Sequence, residues 1–316
     1  MSRKKDRIDQ LAELAGTRAE TGESLWRVAF KRVRRSPTAI VGAVIIAVFL
    51  LIALLGPLFA PHDPVAQTWR GDISESMGLF PGPRSGNLLG VDSLGRDEFS
   101  RLVIGARISL LVGVLATVFG LVIGAALGIA SGTAAGLGGR VGGWIDSVIM
   151  RFIDILLSVP GLLLAISLAA MIGNGLPTVM IAVGTINVPI FARLLRGSML
   201  AQAHSDYVLA STALGVRKPR IVFSHIVPNS IAPVIVQATL TLAVAIIEAA
   251  GLSFLGLGNA NSSYPEWGVM LADAQRYLSV APRLSIFPAV AIIITALGFT
   301  LLGESMREAL DPKLRR

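Results

Sequence analysis

The stretch DYVLASTALGVRKPRIVFSHIVPNS, Asp206 to Ser230, lies between two long apolar runs and is built like neither. From Gly197 to Leu214 nothing forbids a helix, and the segment LASTAL favours one. Gly215 then offers the left-handed position that ends helices. Pro219 suits the first turn of a following helix, where its missing N–H costs nothing. Arg217, Lys218 and Arg220 mark the turn as solvated, and Pro228 marks entry into the next apolar run. The spacing predicts a helix, a Gly turn and a second helix. Such an elbow is shaped to dock in a partner's groove, or to lie along a membrane surface.

What surrounds the elbow decides between a soluble and a membrane setting. The 316 residues are 53% hydrophobic and only 15% charged, where a soluble domain carries about 25% charged residues. Mean hydropathy is +0.70. An all-α integral membrane protein is expected. A net charge of +8 would suggest a nucleic-acid partner in a soluble chain, but here the placement of the charges matters more than their sum. With no cysteine, disulfides, thiolate chemistry and Cys-ligated metals are excluded. The first 36 residues are strongly polar, and the apolar run after them is too long for the core of a cleavable signal peptide.

About 20 apolar residues cross a bilayer, and six runs qualify: 38–60, 108–139, 143–172, 177–195, 229–256 and 284–303. With the N-terminus in the cytoplasm, 21 of the 28 Lys and Arg residues fall on the cytoplasmic side, ten of them in residues 1–37. The positive-inside bias thus places both termini and the elbow in the cytoplasm. The expected organisation is a cytoplasmic tail over 1–37, a first span over 38–60 and an extracytoplasmic loop over 61–107. A five-span core over 108–303 follows, containing the loop 198–228, and a cytoplasmic tail over 304–316 ends the chain. Within the first tail Trp26, Phe30 and Val33 share a helix face, and Arg27, Lys31, Arg34 and Arg35 lie largely away from it. That suits a helix lying in the inner interface or an ordinary solvated lead-in helix.

Gly120, Gly124, Gly128 and Gly132 recur every fourth residue in the second run, the pattern that lets helix backbones approach closely in lipid. Pro160 and Pro189 each remove a helix hydrogen bond, so kinks are expected near them. Charges inside spans are costly and face protein or water. Arg151 and Asp154, three residues apart, are expected to neutralise each other. Glu248 has no local partner; a structural or inter-subunit contact and a wet path are both open to it. No catalytic constellation is present. His62, His204 and His225 fall on opposite sides of the membrane, so no metal site is expected. Without a Gly-Lys dipeptide there is no phosphate-binding loop, and the chain is not expected to hydrolyse nucleotides or to be an enzyme. A sequon at Asn261-Ser262-Ser263 lies on the outer side.

The elbow resembles the cytoplasmic loop of ABC-importer permeases, whose pattern is E-A-A-x-x-x-G, nine residues, then I-x-L-P. Ala210, Gly215 and Pro228 match at the proper spacing, while Leu209, Ser211, His225 and Val227 depart from it. Four further stretches are similar to the dipeptide/oligopeptide branch of that family: GPLFAPHDP (56–64), LLGVDSLGRDEFSRLVIGARISL (88–110), EAAGLSFLGLG (248–258) and GESMREALDPKLRR (303–316). The form DYVLASTALG…HIVPN of the elbow is also that of the branch. The resemblance runs from about residue 26 to the end.

It implies a six-span type I importer permease of the bacterial inner membrane, the "C" component beside a non-identical sister permease. Two ATPase subunits or domains and an extracytoplasmic binding protein would complete the machine, with ATP and Mg bound by the ATPases and no cofactor on this chain. Asp206 to Arg220 would be the ATPase-coupling region. In that reading Gly215 is the hinge-like cap, and Tyr207, Ala210 and Leu214 form the docking face. Arg217 and Lys218 are peripheral contacts, flanked by Asp206, Pro219 and Pro228. The substrate implied is a dipeptide or oligopeptide; nickel complexes, glutathione and haem-like compounds remain open. A proton-coupled secondary transporter using Glu248 is the alternative from another class, although no internal repeat supports it.

Overall fold

In a computed structural model, residues 30–74, 80–258 and 264–310 are described, and their regular elements are all helical apart from two isolated bridges, Arg84 with Asn87 and Val91 with Asp97. Most of the expected interfacial helix around Trp26 and the Asn261 sequon lie outside the described residues. The long helices are α1 (Pro37–Phe59), α2 (Glu98–Leu137), α3 (Gly139–Ser158), α4 (Gly161–Ile172), α5 (Leu176–Ala203), α7 (Ala232–Phe254) and α9 (Arg283–Leu310). Between them stand two short ones, α6 (Asp206–Ala213) and α8 (Trp267–Ala274).

Five helices are long and apolar enough to cross a membrane, and α3 with α4 makes a sixth span if the bent pair counts as one. The single run expected over 143–172 is thus corrected: its two helices meet at 93°. Pro160 is the cause. A residue before proline is pushed out of the α region, and Val159 sits at φ −90°, ψ 129°. Pro189, by contrast, lies within continuous α5.

The second span also begins earlier than its apolar run. Asp97 caps α2, accepting a 2.8 Å hydrogen bond from the Ser100 amide. The 40-residue helix is about 60 Å long, twice the roughly 30 Å of a hydrocarbon core. Its first three turns therefore stand beyond the apolar run, and the segment expected as a loop over 61–107 ends as helix.

Close backbone approach sets the packing. Helix α1 lies on α9, where a Cβ on Gly42 would come within 2.8 Å of the Gly298 carbonyl oxygen. The Thr38 and Ser305 hydroxyls, 2.8 Å apart, put the start of α1 beside the end of α9. Helix α5 is the centre: its most apolar 18 residues are 61% buried within the chain, against 28% for α1. It rests on α2 along the glycine stripe and also packs against α3, α4 and α7.

Candidate functional site

At one end of the bundle α5 runs into the elbow. Helix α6 ends in a Schellman motif: the Gly215 amide bonds the Thr212 carbonyl and the Val216 amide bonds the Ser211 carbonyl, with Gly215 at φ +75°. A helical turn, Lys218–Ile221, carries Pro219 in its first positions. A π-helical stretch, Val222–Ile226, leads to the turn Val227–Ser230 that contains Pro228. Val208, Ile221, Val222 and Ile226 are buried against Phe191, Leu195 and Met199 of α5, so the elbow is locked onto that helix.

Tyr207 belongs to this inward side. It is half-buried in the same cluster, and its hydroxyl donates to Gln202 Oε1 at 2.8 Å. Of the residues expected on a docking face, Tyr207 is thus half-buried, while Ala210 and Leu214 are exposed. Outward stand Ala210, Leu214 (83% exposed), Leu209 (60%) and Phe223 (64%). Leu209 and Phe223 went unnoticed as surface residues in the sequence, although an apolar residue on a solvated helix is itself a signal. Asp206, Arg217, Pro219 and Pro228 are exposed around them. Lys218 Nζ donates to the Leu137 carbonyl at 2.6 Å, spanning an open apolar groove of about 670 Å³ between the elbow and the adjoining ends of α2 and α3.

The four stripe glycines face α5. A Cβ on Gly120, Gly124 or Gly128 would meet a carbonyl oxygen of Gly184, Val188 or Ala192 at 2.7, 2.5 and 2.8 Å, and one on Gly132 would meet Met199 Cβ at 3.1 Å.

Charges within the helices pair across them. Asp154 is bound by Arg193 of α5, which corrects the expected Arg151–Asp154 pair. Arg193 reaches one Asp154 oxygen through a single guanidinium nitrogen from the neighbouring helix. Nearer the elbow, Arg196 grips both oxygens of Asp146 at 2.6 Å, and the Ser131 hydroxyl of α2 joins them. In the sequence Asp146, Arg193 and Arg196 are isolated charges in or beside apolar runs. Arg151 is exposed and makes no ion pair among the described residues. Glu248 is half-buried, with Oε2 enclosed and unpartnered.

The opposite end is a polar lock. Arg96 and Arg101, both 1% exposed, share Asp92 and Asp273. Arg96 reaches them at 2.5 and 3.1 Å, and Arg101 reaches Asp92 at 3.4 Å and the Pro64 carbonyl at 3.1 Å. Asn87 donates to Asp97 at 2.9 Å. Trp267 is inserted against α2, its indole N–H on the Leu102 carbonyl at 3.0 Å and its amide on Ser109 at 3.1 Å. Burial pushes the Asp273 carboxyl above its ordinary value despite the two arginines. Burial also raises Glu266 to about 7, although the Ser253 hydroxyl, 2.8 Å away, opposes the shift.

Two family profiles match the sequence. Residues 124–316 match the binding-protein-dependent transport system inner membrane component, and residues 24–77 match the N-terminal transmembrane domain of oligopeptide transport permease C. The chain belongs to this permease family. The permease is 42% identical to the dipeptide transport system permease protein DppC of Alkalihalophilus pseudofirmus, over 93% of this chain and 92% of that one. It is 43% identical to the glutathione transport system permease protein GsiD of Salmonella typhimurium, over 92% and 91%. In fold it is similar to the MetNI methionine ABC transporter in an inward-facing conformation, with a TM-score of 0.54 at 20% identity over 67% of this chain and 96% of that one. The permease is thus an all-helical, multi-pass membrane component of an ABC peptide-importer family, and its elbow between α5 and α7 exposes Leu209, Leu214 and Phe223.

Proposed function

We propose that this permease is one of two non-identical membrane subunits of an ATP-driven importer of dipeptides or short peptides. It works with a sister permease, two ATPase subunits or domains and an extracytoplasmic binding protein. The elbow carries this reading. Its inner face is fastened to α5 by Val208, Ile221, Val222 and Ile226, and its outer face presents Leu209, Ala210, Leu214 and Phe223. A rigid link to the central helix combined with an apolar outer face suits a segment that seats in a partner's cleft and passes movement to the spans. Gly215 sets the angle between its halves.

The machine sits in the bacterial inner membrane, with the elbow and both termini cytoplasmic and the polar lock outside. That lock is where a binding protein would dock. ATP and Mg bind to the partner ATPases, and this chain contributes no catalytic residue and no cofactor site. Relatives named for dipeptide and glutathione transport support a small peptide-like zwitterion as the substrate.

The test is to isolate the chain from native membranes in mild detergent and identify what accompanies it. A second permease and Gly-Lys-Ser/Thr-containing ATPases in near-equal amounts, with a binding protein loaded with peptide, are expected. A chain recovered alone that transports in liposomes without ATP would overturn the reading and bring Glu248 to the centre of the mechanism.

A further inference from the structure

The Asp154–Arg193 pair is placed oddly for a membrane protein. It belongs to spanning helices, yet its side chains are 50% and 52% exposed. Arg193 lies ten residues from the elbow end of α5, about 15 Å along the axis, just inside the inner end of the apolar run 177–195. Charges there face protein or water rather than lipid. What they face follows from how α5 is packed. Its back rests on α2 through Gly184, Val188, Ala192 and Leu195, and its flanks meet α3, α4 and α7. The remaining stripe, Ile190, Arg193 and Gly197, is turned away from α2, exposed along its length. A Cβ on Gly197 would meet nothing within 4 Å.

We propose that this stripe, with the adjoining Arg151 and Asp154 of α3, is the permease's wall of a water-filled translocation path. There the Asp154–Arg193 pair is a transient binding station for the charged termini of a zwitterionic peptide. The inference rests on the importer reading. A half-exposed ion pair in contact with water is weak enough to open. On opening, Asp154 accepts hydrogen bonds from the peptide ammonium, and the Arg193 fork takes the carboxylate in the bidentate geometry that guanidinium favours. Arg151, one turn away on α3 and without an ion pair among the described residues, offers a second cation to the same carboxylate. The charges are restored to each other when the peptide leaves, so the site is neither a deep trap nor a barrier. Asp146 and Arg196 differ: their bidentate grip is more enclosed and tied to Ser131, which suits a structural clasp.

The chain has no cysteine, so Ile190→Cys and Gly197→Cys each add a thiol unique to it. In the assembled importer, a water-soluble, lipid-impermeant thiol reagent should label both positions and spare Leu54→Cys on the exposed side of α1. Excess dipeptide should slow the labelling several-fold. In transport, Arg193→Gln should lower the maximal uptake rate roughly tenfold or more at saturating binding protein, and the exchange of charges in Asp154→Arg with Arg193→Asp should recover part of the loss. Silent thiols, or labelling indifferent to dipeptide, would overturn the path assignment, as would an unchanged maximal uptake rate in Arg193→Gln. If the unmodified complex shows no ATP-driven peptide uptake, the importer reading itself fails instead.

Discussion

The far end of the bundle encloses a cluster of paired charges, whereas the elbow end shows apolar side chains. Arg96 and Arg101 are almost wholly enclosed and shared between Asp92 and Asp273, while Leu209, Leu214 and Phe223 stand in the open beside exposed Arg217 and Arg220. Each arrangement is the reverse of what free solvent favours. Burying charge demands complete pairing, and exposing large apolar side chains on a solvated helix marks a surface meant to be covered. The first is a finished lock that holds the segment before α2 to α8. The second is an interface awaiting its other half. Damage to the two should therefore be felt differently, in stability at one end and in coupling at the other.

The largest loss of stability is expected at the lock. Arg101→Ala leaves Asp92 and Asp273 short of a counter-charge in a buried site, which costs about 3–5 kcal/mol. Lower abundance and an earlier thermal transition of the purified complex would register it, and a transition equal to wild type would mean that the lock is dispensable. Glu266 should act in the same region with the opposite sign. The folded chain keeps this proton between pH 4.5 and about 7, where an unfolded chain releases it, so stability falls as pH rises across that window. Glu266→Gln should flatten the slope and stabilise the protein above pH 7 by at most about 3 kcal/mol. A slope that persists in the variant would assign it elsewhere.

At the elbow the expected costs are smaller and the functional effects larger. Gly215 sits at φ +75° with open space around its missing side chain. Gly215→Leu thus meets backbone strain of about 1–2 kcal/mol and no clash. It should insert at normal abundance yet lose most peptide uptake while ATP hydrolysis continues. Normal uptake at normal abundance would remove Gly215 from the coupling path.

Much of this division was legible in the sequence. Apolar runs declare spans because lipid filters on composition, and Gly215 declared the end of α6 because few residues adopt its conformation. The glycine repeat on α2 signalled a close helix contact but named no partner. What stayed hidden was non-local. Asp154 could be paired with Arg151 on paper, since only the packing of α3 on α5 brings Arg193 to it. Arg96 and Arg101 fall in the segment expected as a loop, and only the packing of α8 brings Asp273 to them. Pro160 and Pro189 look alike in sequence, yet one breaks a span at 93° and the other rides inside α5. Helix α5 is held along its back by the glycine stripe, whereas the neighbourhood of Pro160 is exposed.

Leu214 gives the sharpest form of the comparison, because it should cost almost nothing where it is measured most easily. At 83% exposure it holds no part of the fold together, and a surface change such as Leu214→Asp should move stability by no more than about 0.5 kcal/mol. If the elbow seats in an ATPase cleft, the same change puts an unpaired carboxylate into an apolar contact, where burial without a partner is costly. Co-purification of the ATPases should then drop well below wild type while the permease keeps its abundance and thermal transition. Retention of the ATPases at wild-type levels would free Leu214 from the interface and shift attention to Phe223, across the Gly turn and 64% exposed. Loss of the fold together with the ATPases would show that the elbow end is as much a lock as the far end, and that its exposed leucine bears on the structure after all.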